Sequence, residues 1–165
     1  MSDLRPVGYV IGLLVAALGA GMLLPVVADL IEGDGHWAVF LGCAAIPPPI
    51  GPALAPGCPN GAGQGLTIQQ SFLLTTGTWV VLPLFGAVPF MLGAPHVGLT
   101  DAYFEAMSGL TTTGSTVFAN LDHLPAGTLL WRGLLQWLGG LGIVIVAMVL
   151  NISASGSLMV LKCSF

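Results

Sequence analysis

Hydrophobic residues in this chain form long runs that no Asp, Glu, Lys or Arg interrupts. The three longest charge-free runs are residues 6–28, 35–100 and 133–161. Because a helix needs about 20 mostly apolar residues to cross a bilayer, runs of this length predict membrane-spanning helices. We predict three such spans and place them at residues 6–30, 67–92 and 128–150.

The apolar segment that begins at Trp37 changes its character at Gly42. Residues 42–65 contain six prolines and six glycines. Each proline in a helix interior costs about 3 kcal/mol, so we expect no regular membrane helix in this stretch. Whether residues 37–55 form the second helix of an N-terminal pair therefore stays open.

A short amphipathic segment lies between the last two spans and ends in hydroxyl-rich residues. If residues 101–110 are helical, they rise about 15 Å at 1.5 Å per residue, roughly half the hydrocarbon core. Such a helix enters the membrane without crossing it, and its negative dipole end and unpaired last carbonyls face the next residues of the chain. Those residues are Thr111, Thr112, Thr113, Gly114 and Ser115. This pattern is typical of a re-entrant pore loop.

The loop of residues 111–115 has two interpretations. Its backbone carbonyls can replace the hydration shell of a cation, with Gly114 supplying backbone dihedrals that other residues resist. The alternative is a helix end capped by hydroxyl residues and glycine, which is common. Taken alone, these residues favour neither interpretation.

Three charged residues are expected to support the short helix. Asp101, or Thr100 beside it, is placed to cap the N-terminus, where the helix dipole also favours a carboxylate. Glu105 lies deeper and needs a partner. Arg132, at the outer end of the last span, is one candidate. The alternative is that Arg132 extends to the membrane interface beside Trp131.

Composition indicates a membrane protein and excludes several functions. Apolar residues make up 55% of the chain and charged residues 6%, against about a quarter charged in soluble domains. There is no basic patch for nucleic acid, no nucleophile with a nearby base and no phosphate-binding glycine loop, so we predict neither an enzyme nor a cofactor. The three cysteines fit no disulfide framework or metal motif. The three histidines fall in predicted turns and are interpreted as solvated rather than as metal ligands.

Few charges are available to orient the chain. Arg5 precedes the first span, and the polar turn of residues 29–34, with its three acids, follows it. Because positive residues mark the cytoplasmic side, we predict a multi-pass inner-membrane protein with a cytoplasmic N-terminus. His96 and His123 then lie outside.

Glycine spacing predicts close helix packing. Gly139, Gly140 and Gly142 leave one face of the last span without side-chain bulk, which suits contact with the short helix. Gly8 and Gly12 form a second pair in the first span. For that pair, the ordinary frequency of glycine in membrane helices is an equal alternative.

Two segments closely resemble the first pore repeat of the TrkH/KtrB-type potassium uptake family. One is Thr-Asp-Ala-Tyr-Phe-Glu-Ala-Met-Ser-Gly-Leu-Thr-Thr-Thr-Gly at residues 100–114, and the other is Leu-Leu-Trp-Arg-Gly-Leu-Leu-Gln-Trp-Leu-Gly-Gly-Leu-Gly-Ile-Val at 129–144. The resemblance implies an all-α integral membrane fold, in which a helix pair precedes four repeats of helix, pore loop and helix around one pore. This chain has room for the N-terminal region, residues 1–66, and one repeat, residues 67–150. Residues 151–165 form an atypical tail.

The resemblance implies potassium transport through a filter of which this chain forms one quarter. Thr111, Thr112, Thr113 and Gly114 would hold the ion through their carbonyls, and Ser115 would complete the loop. Among relatives, glycine at the position of Gly114 is associated with potassium permeation. The implied partners are the transported potassium ion, the lipid bilayer, other pore repeats or subunits, and a cytoplasmic nucleotide-binding TrkA-like regulator. Two alternatives stay open, a truncated or frameshifted fragment that does not conduct and a small membrane scaffold.

Overall fold

The computed structural model describes residues 4–33, 35–46, 68–119 and 121–162. Within these residues the chain is helical and contains no strand, which confirms the predicted all-α class. The α-helices are Arg5–Gly21 (α1), Leu23–Glu32 (α2), Trp37–Ala45 (α3), Ile68–Leu92 (α4), Leu99–Leu110 (α5) and Ala126–Lys162 (α6), and a short 3-10 helix covers Leu121–His123.

The first predicted span is a helix with one break at Met22, between α1 and α2. The Met22 amide still donates to the carbonyl of Leu18 at 3.2 Å. The break has a covalent cause, because Pro25 has no amide hydrogen to offer the Gly21 carbonyl four residues earlier. The whole segment, Arg5–Glu32, has 28 residues, and an 18-residue stretch within it has a mean hydropathy of 2.5, which suffices for a membrane span by length and composition.

α3 covers only the beginning of the segment that the sequence left open. It has nine residues, Trp37–Ala45, and buries Phe40 and Cys43 in the core. Residues 47–67 lie outside the described residues. The structure therefore does not test the prediction that residues 42–65 form no regular membrane helix. The question of a span over residues 37–55 also stays open.

α4 agrees with the predicted span at residues 67–92 to within one residue. Within the 24 residues from Gln69 to Leu92, an 18-residue stretch has a mean hydropathy of 1.6, again enough for a span by composition. The hydroxyls of Thr75 and Thr78 donate to the carbonyls four residues earlier, at 2.9 and 2.7 Å. Threonines inside a helix satisfy their hydroxyls in this way, which confirms that this stretch is part of a full-length helix.

The core lies where α5 packs between α4 and α6. Phe90 on α4, Ala102 on α5, and Trp131 and Leu135 on α6 are all fully buried. The indole N–H of Trp131 donates to the carbonyl of Gly86 on α4 at 3.0 Å, so its one polar atom is satisfied inside the core. Around this core, α1 packs on α4 and α2 packs on α6.

α6 is longer than the span predicted at residues 128–150. It begins at Ala126 and continues to Lys162, through most of the predicted tail. No proline follows Pro125 in the sequence, so nothing in the covalent chain stops the helix.

Asp29 was expected in a polar turn, and this expectation is wrong. It lies within α2, and its side chain is fully buried. Its Oδ1 accepts a hydrogen bond from the amide of Gly127, in the first turn of α6, at 2.7 Å. The first amides of a helix have no partner within the helix, and a carboxylate is favoured there. Asp29 therefore caps α6 from a distance of 98 residues in the sequence and ties α2 to the repeat.

Candidate functional site

α5 is the short helix that the sequence predicted, but it begins two residues earlier. Its 12 residues, Leu99–Leu110, span about 18 Å, less than the roughly 30 Å hydrocarbon core. Its N-cap is Gly98, and no side chain caps the helix. The prediction that Asp101 or Thr100 caps it is wrong, because the earlier start places both inside the first turn. Asp101 still lies where the helix dipole favours a carboxylate.

α5 ends in a Schellman motif, a helix end closed by two backbone hydrogen bonds. The amide of Thr112 donates to the Gly109 carbonyl at 2.9 Å, and the amide of Thr113 donates to the Ser108 carbonyl at 3.0 Å. The left-handed position of this motif usually holds glycine, but here it holds Thr112, with φ 57°. The expectation that the last carbonyls of α5 are unpaired is wrong for Ser108 and Gly109, because amides of the following loop occupy them.

Gly114 has φ 76°, the positive value that its predicted role requires. The helix cap is already complete at Thr113, so Gly114 is not the capping glycine of α5. A Cβ atom at Gly114 would meet nothing within 4 Å. Backbone conformation, rather than crowding, therefore explains the glycine, and the loop has a shape of its own beyond the helix end.

The carbonyl groups of the loop divide into two sets. The Ser115 carbonyl accepts a hydrogen bond from the Ser108 hydroxyl at 2.6 Å, and the Gly114 carbonyl accepts one from Arg132 Nη2 at 3.3 Å. Within the described part of the chain, no hydrogen bond reaches the carbonyls of residues 111–113. Residues 112–117 are exposed. The carbonyls of Gly114 and Ser115 are thus held by the protein, and those of residues 111–113 are left available.

Glu105 joins α5 to α6 and to the residues after the loop. It is fully buried, and its Oε1 accepts a hydrogen bond from Arg132 Nε. Its Oε2 accepts hydrogen bonds from the Thr116 hydroxyl and the Val117 amide, both at 3.0 Å. A buried carboxylate needs such partners, since an unpaired charge is costly to bury. The Glu105–Arg132 pair, one of the two alternatives from the sequence, is present.

Arg132 extends towards Glu105 and the loop, which favours the pair over the other alternative. Its side chain is 17% exposed, and its guanidinium contacts both Glu105 and the Gly114 carbonyl. After the loop, Phe118 is buried against Phe90 of α4 with ring centroids 5.3 Å apart and ring planes at 71°. The loop is therefore anchored before, within and after its exposed residues.

Glycine permits the close approach of α6 to the end of α5, as the spacing predicted. A Cβ atom on Gly139 would lie 1.9 Å from the carbonyl oxygen of Leu110, and one on Gly140 would lie 3.5 Å from Cγ2 of Thr112. Gly142 has nothing within 4 Å, so it takes no part in this contact.

The three histidines are not brought together. His36 is half-buried before α3, while His96 and His123 are exposed. Among the residues that the structure describes, no group of three His, Cys, Asp or Glu side chains is placed to hold a metal ion.

Sequence reasoning missed two residues that shape the loop, Ser108 and Phe118, and it missed the left-handed backbone conformation of Thr112. One signal for Thr112 was available, because a helix ending at Leu110 with Thr111 as its C-cap makes Thr112 the left-handed residue. No comparable signal marks Ser108 or Phe118, because their partners are set by the path of the loop.

The half-length helix, the anchored loop and the two helices long and apolar enough to cross a membrane are consistent with a membrane protein of the cation transporter class. The sequence model of the TrkH family, described as a cation transport protein, matches residues 58–159. The chain therefore belongs to the TrkH family. The members of this family are transporters, which confirms the prediction that the chain is not an enzyme.

Individual relatives agree with this assignment. The Trk system potassium uptake protein TrkH of Halomonas elongata is 41% identical over 147 residues, which are 88% of this chain and 30% of that protein. TrkH of Escherichia coli K12 is 39% identical over 145 residues, 87% of this chain and 30% of that protein. The crystal structure of the potassium transporter TrkH from Vibrio parahaemolyticus matches with a TM-score of 0.84 and 34% identity, over 90% of this chain and 32% of that chain. The chain thus spans about a third of the length of these relatives.

Proposed function

We propose that this chain takes part in potassium transport across the membrane and that residues 111–115 form one quarter of a selectivity filter. The similar proteins of Halomonas elongata and Escherichia coli are named potassium uptake proteins. This chain covers 30% of each, so the filter needs further repeats around the same axis. The observation that carries the proposal is the exposed loop, in which the carbonyls of Gly114 and Ser115 accept hydrogen bonds from the protein and those of residues 111–113 accept none within the described chain.

Potassium binding in this proposal uses backbone oxygen atoms. The carbonyls of residues 111–113 have no hydrogen bond within the described chain, so they can replace water around an ion. The Gly114 carbonyl also contributes, because a carbonyl oxygen has two lone pairs and can accept from Arg132 while it binds an ion. Ser115 completes the loop. The negative end of the α5 dipole points into the same region and adds to the attraction for a cation.

The charged residues of the repeat have a supporting role in this proposal. Asp101 stabilises the first turn of α5, while Glu105 and Arg132 hold the loop in place through their contacts with each other and with the Gly114 carbonyl. A hydrogen bond to a charged group contributes about 1.5–3 kcal/mol, more than a neutral one. The carbonyls are therefore held in place before an ion arrives, which lowers the cost of ordering the loop around it.

The cellular context of the proposal follows from the sequence and the resemblance. The N-terminus lies in the cytoplasm on the basis of Arg5, which precedes the first span. The inner membrane follows from the resemblance. Other pore repeats complete the pore, and a cytoplasmic nucleotide-binding TrkA-like subunit regulates it. The regulator rests on the resemblance alone.

Growth at low potassium tests the proposed function. The chain is expressed in a bacterial strain that lacks potassium uptake, beside a Glu105→Ala variant that removes the support of the loop. Because each copy supplies one quarter of the filter, about four copies must assemble to form a pore. We then expect the unaltered chain to restore growth and the variant to restore less at an equal amount in the membrane, measured by immunoblot. An unaltered chain that is present in the membrane and gives no growth contradicts the proposal in favour of a non-conducting fragment or a scaffold.

A further inference from the structure

Ser108 contacts three consecutive residues of the loop through two different groups. Its hydroxyl donates to the Ser115 carbonyl at 2.6 Å. Its own carbonyl accepts the amides of Thr113 at 3.0 Å and Gly114 at 3.4 Å. The side chain is buried, with 6% of its surface exposed. A single residue of α5 therefore holds both the beginning and the end of the turn at Gly114.

The hydroxyl contact is not required to end the helix. Of Ser108, the Schellman motif uses only the carbonyl, which accepts the amide of Thr113. A hydroxyl in a helix commonly donates to a carbonyl three or four residues earlier, as Thr111 does to Met107 at 2.8 Å. The Ser108 hydroxyl instead reaches seven residues forward, to Ser115. The contact thus serves the loop rather than the helix.

We propose that Ser108 is a positioning residue that sets the ion selectivity of the loop. This inference rests on the proposed function, since it concerns the same filter. The hydroxyl turns the Ser115 carbonyl towards buried α5, which fixes the chain direction on the far side of Gly114. The carbonyls of residues 111–113 are thereby separated from that of Ser115. Ion choice depends on the number and arrangement of coordinating carbonyls, so losing this contact changes selectivity as well as stability.

Uptake of rubidium and sodium tests the inference in a complete transporter. Residues 67–150 of this chain replace the corresponding repeat of Escherichia coli TrkH, and the swapped protein is measured unaltered and as Ser108→Ala, Ser108→Thr and Thr75→Val. Thr75→Val is the matched control, because it also removes a hydroxyl bonded to a carbonyl, but in α4. We expect Ser108→Ala to lower the rubidium-to-sodium ratio by about two- to tenfold, the range that corresponds to one hydrogen bond of roughly 0.5–1.4 kcal/mol. Ser108→Thr keeps the hydroxyl and retains the ratio, as does Thr75→Val.

A second measurement uses the chain itself and does not depend on transport. Amide hydrogen exchange of the purified chain in detergent micelles reports the loop, and we expect Ser108→Ala to speed exchange at Thr113 and Gly114 but not in α4. A selectivity ratio that is unchanged in Ser108→Ala, or lowered equally in Ser108→Thr, overturns the positioning role. If the unaltered repeat-swapped protein takes up no rubidium, the proposed function fails. The Ser108 contact is then judged by amide hydrogen exchange alone. Unchanged exchange at both amides then overturns it as well.

Discussion

Alanine at Gly139 perturbs the contact between α6 and the end of α5. The added Cβ atom would lie 1.9, 2.6 and 2.8 Å from the carbonyl oxygen, carbonyl carbon and Cα of Leu110. These are backbone atoms, so no change of rotamer relieves the overlap. Ordinary contact begins at 3.4 Å, so the helices must separate by about 1.5 Å, the difference between 3.4 and 1.9 Å. The end of α5 carries the loop, which must move with it.

Gly142→Ala is the matched control for this substitution. It lies on the same helix, and a Cβ atom there would meet nothing within 4 Å. Both substitutions gain up to about 1 kcal/mol of helix propensity, so this contribution cancels when the two are compared. Overpacking costs about 1–3 kcal/mol. We therefore expect Gly139→Ala to be less stable than Gly142→Ala by about that amount.

Thermal unfolding of the purified chain in detergent micelles measures the difference. Near-ultraviolet circular dichroism reports tertiary packing, and the fully buried Trp131 lies on α6, the same helix as Gly139. We expect a lower midpoint for Gly139→Ala than for Gly142→Ala. Equal midpoints would refute the reasoning that glycine is required at Gly139 by its approach to Leu110.

Three further substitutions test other contacts by the same unfolding assay. Glu105→Gln keeps the shape of the side chain but leaves Arg132 without its charged partner, and we expect a loss of about 3 kcal/mol; an unchanged midpoint would show that the pair contributes nothing. Thr112→Gly relieves a left-handed conformation that costs other residues roughly 1–2 kcal/mol, so we expect a gain of about 1 kcal/mol, and a loss would contradict the strain. Gly127→Ala places a Cβ atom 2.4 Å from the Asp29 carboxylate and should cost about 0.5–2 kcal/mol, the value of a helix cap. In an Asp29→Ala background that cost should largely disappear, whereas additive effects would argue against the cap.

The sequence was most informative where structure depends on neighbouring residues. The span at residues 67–92, the end of the short helix at Leu110 and the positive φ of Gly114 all follow from local patterns, and the structure has all three. The Glu105–Arg132 pair could be predicted from the sequence for a different reason. A buried carboxylate needs a partner, and only three basic residues exist in the chain.

Contacts between distant residues were beyond sequence reasoning. Asp29 resembles a surface acid because two others follow it closely, yet it caps a helix 98 residues later. The same holds for Ser108, one of many hydroxyl residues near the loop, whose partner is set by the path of the chain. The start of α5 was predicted two residues too late, because its N-cap is Gly98, which has no side chain to cap the helix as Ser, Thr, Asp or Asn would.

The rubidium-to-sodium uptake ratio of the repeat-swapped Escherichia coli TrkH, with and without Gly114→Ser, tests the central claim most directly. Gly114 has φ 76°, and a side chain in such a conformation costs of order 1–3 kcal/mol. Since about 1.4 kcal/mol corresponds to a tenfold change, we expect Gly114→Ser to lower the ratio by roughly tenfold. Ser115→Ala, which keeps the backbone carbonyl, should lower it far less. An equal ratio for the unaltered loop and Gly114→Ser would contradict the assignment of residues 111–115 as a potassium filter.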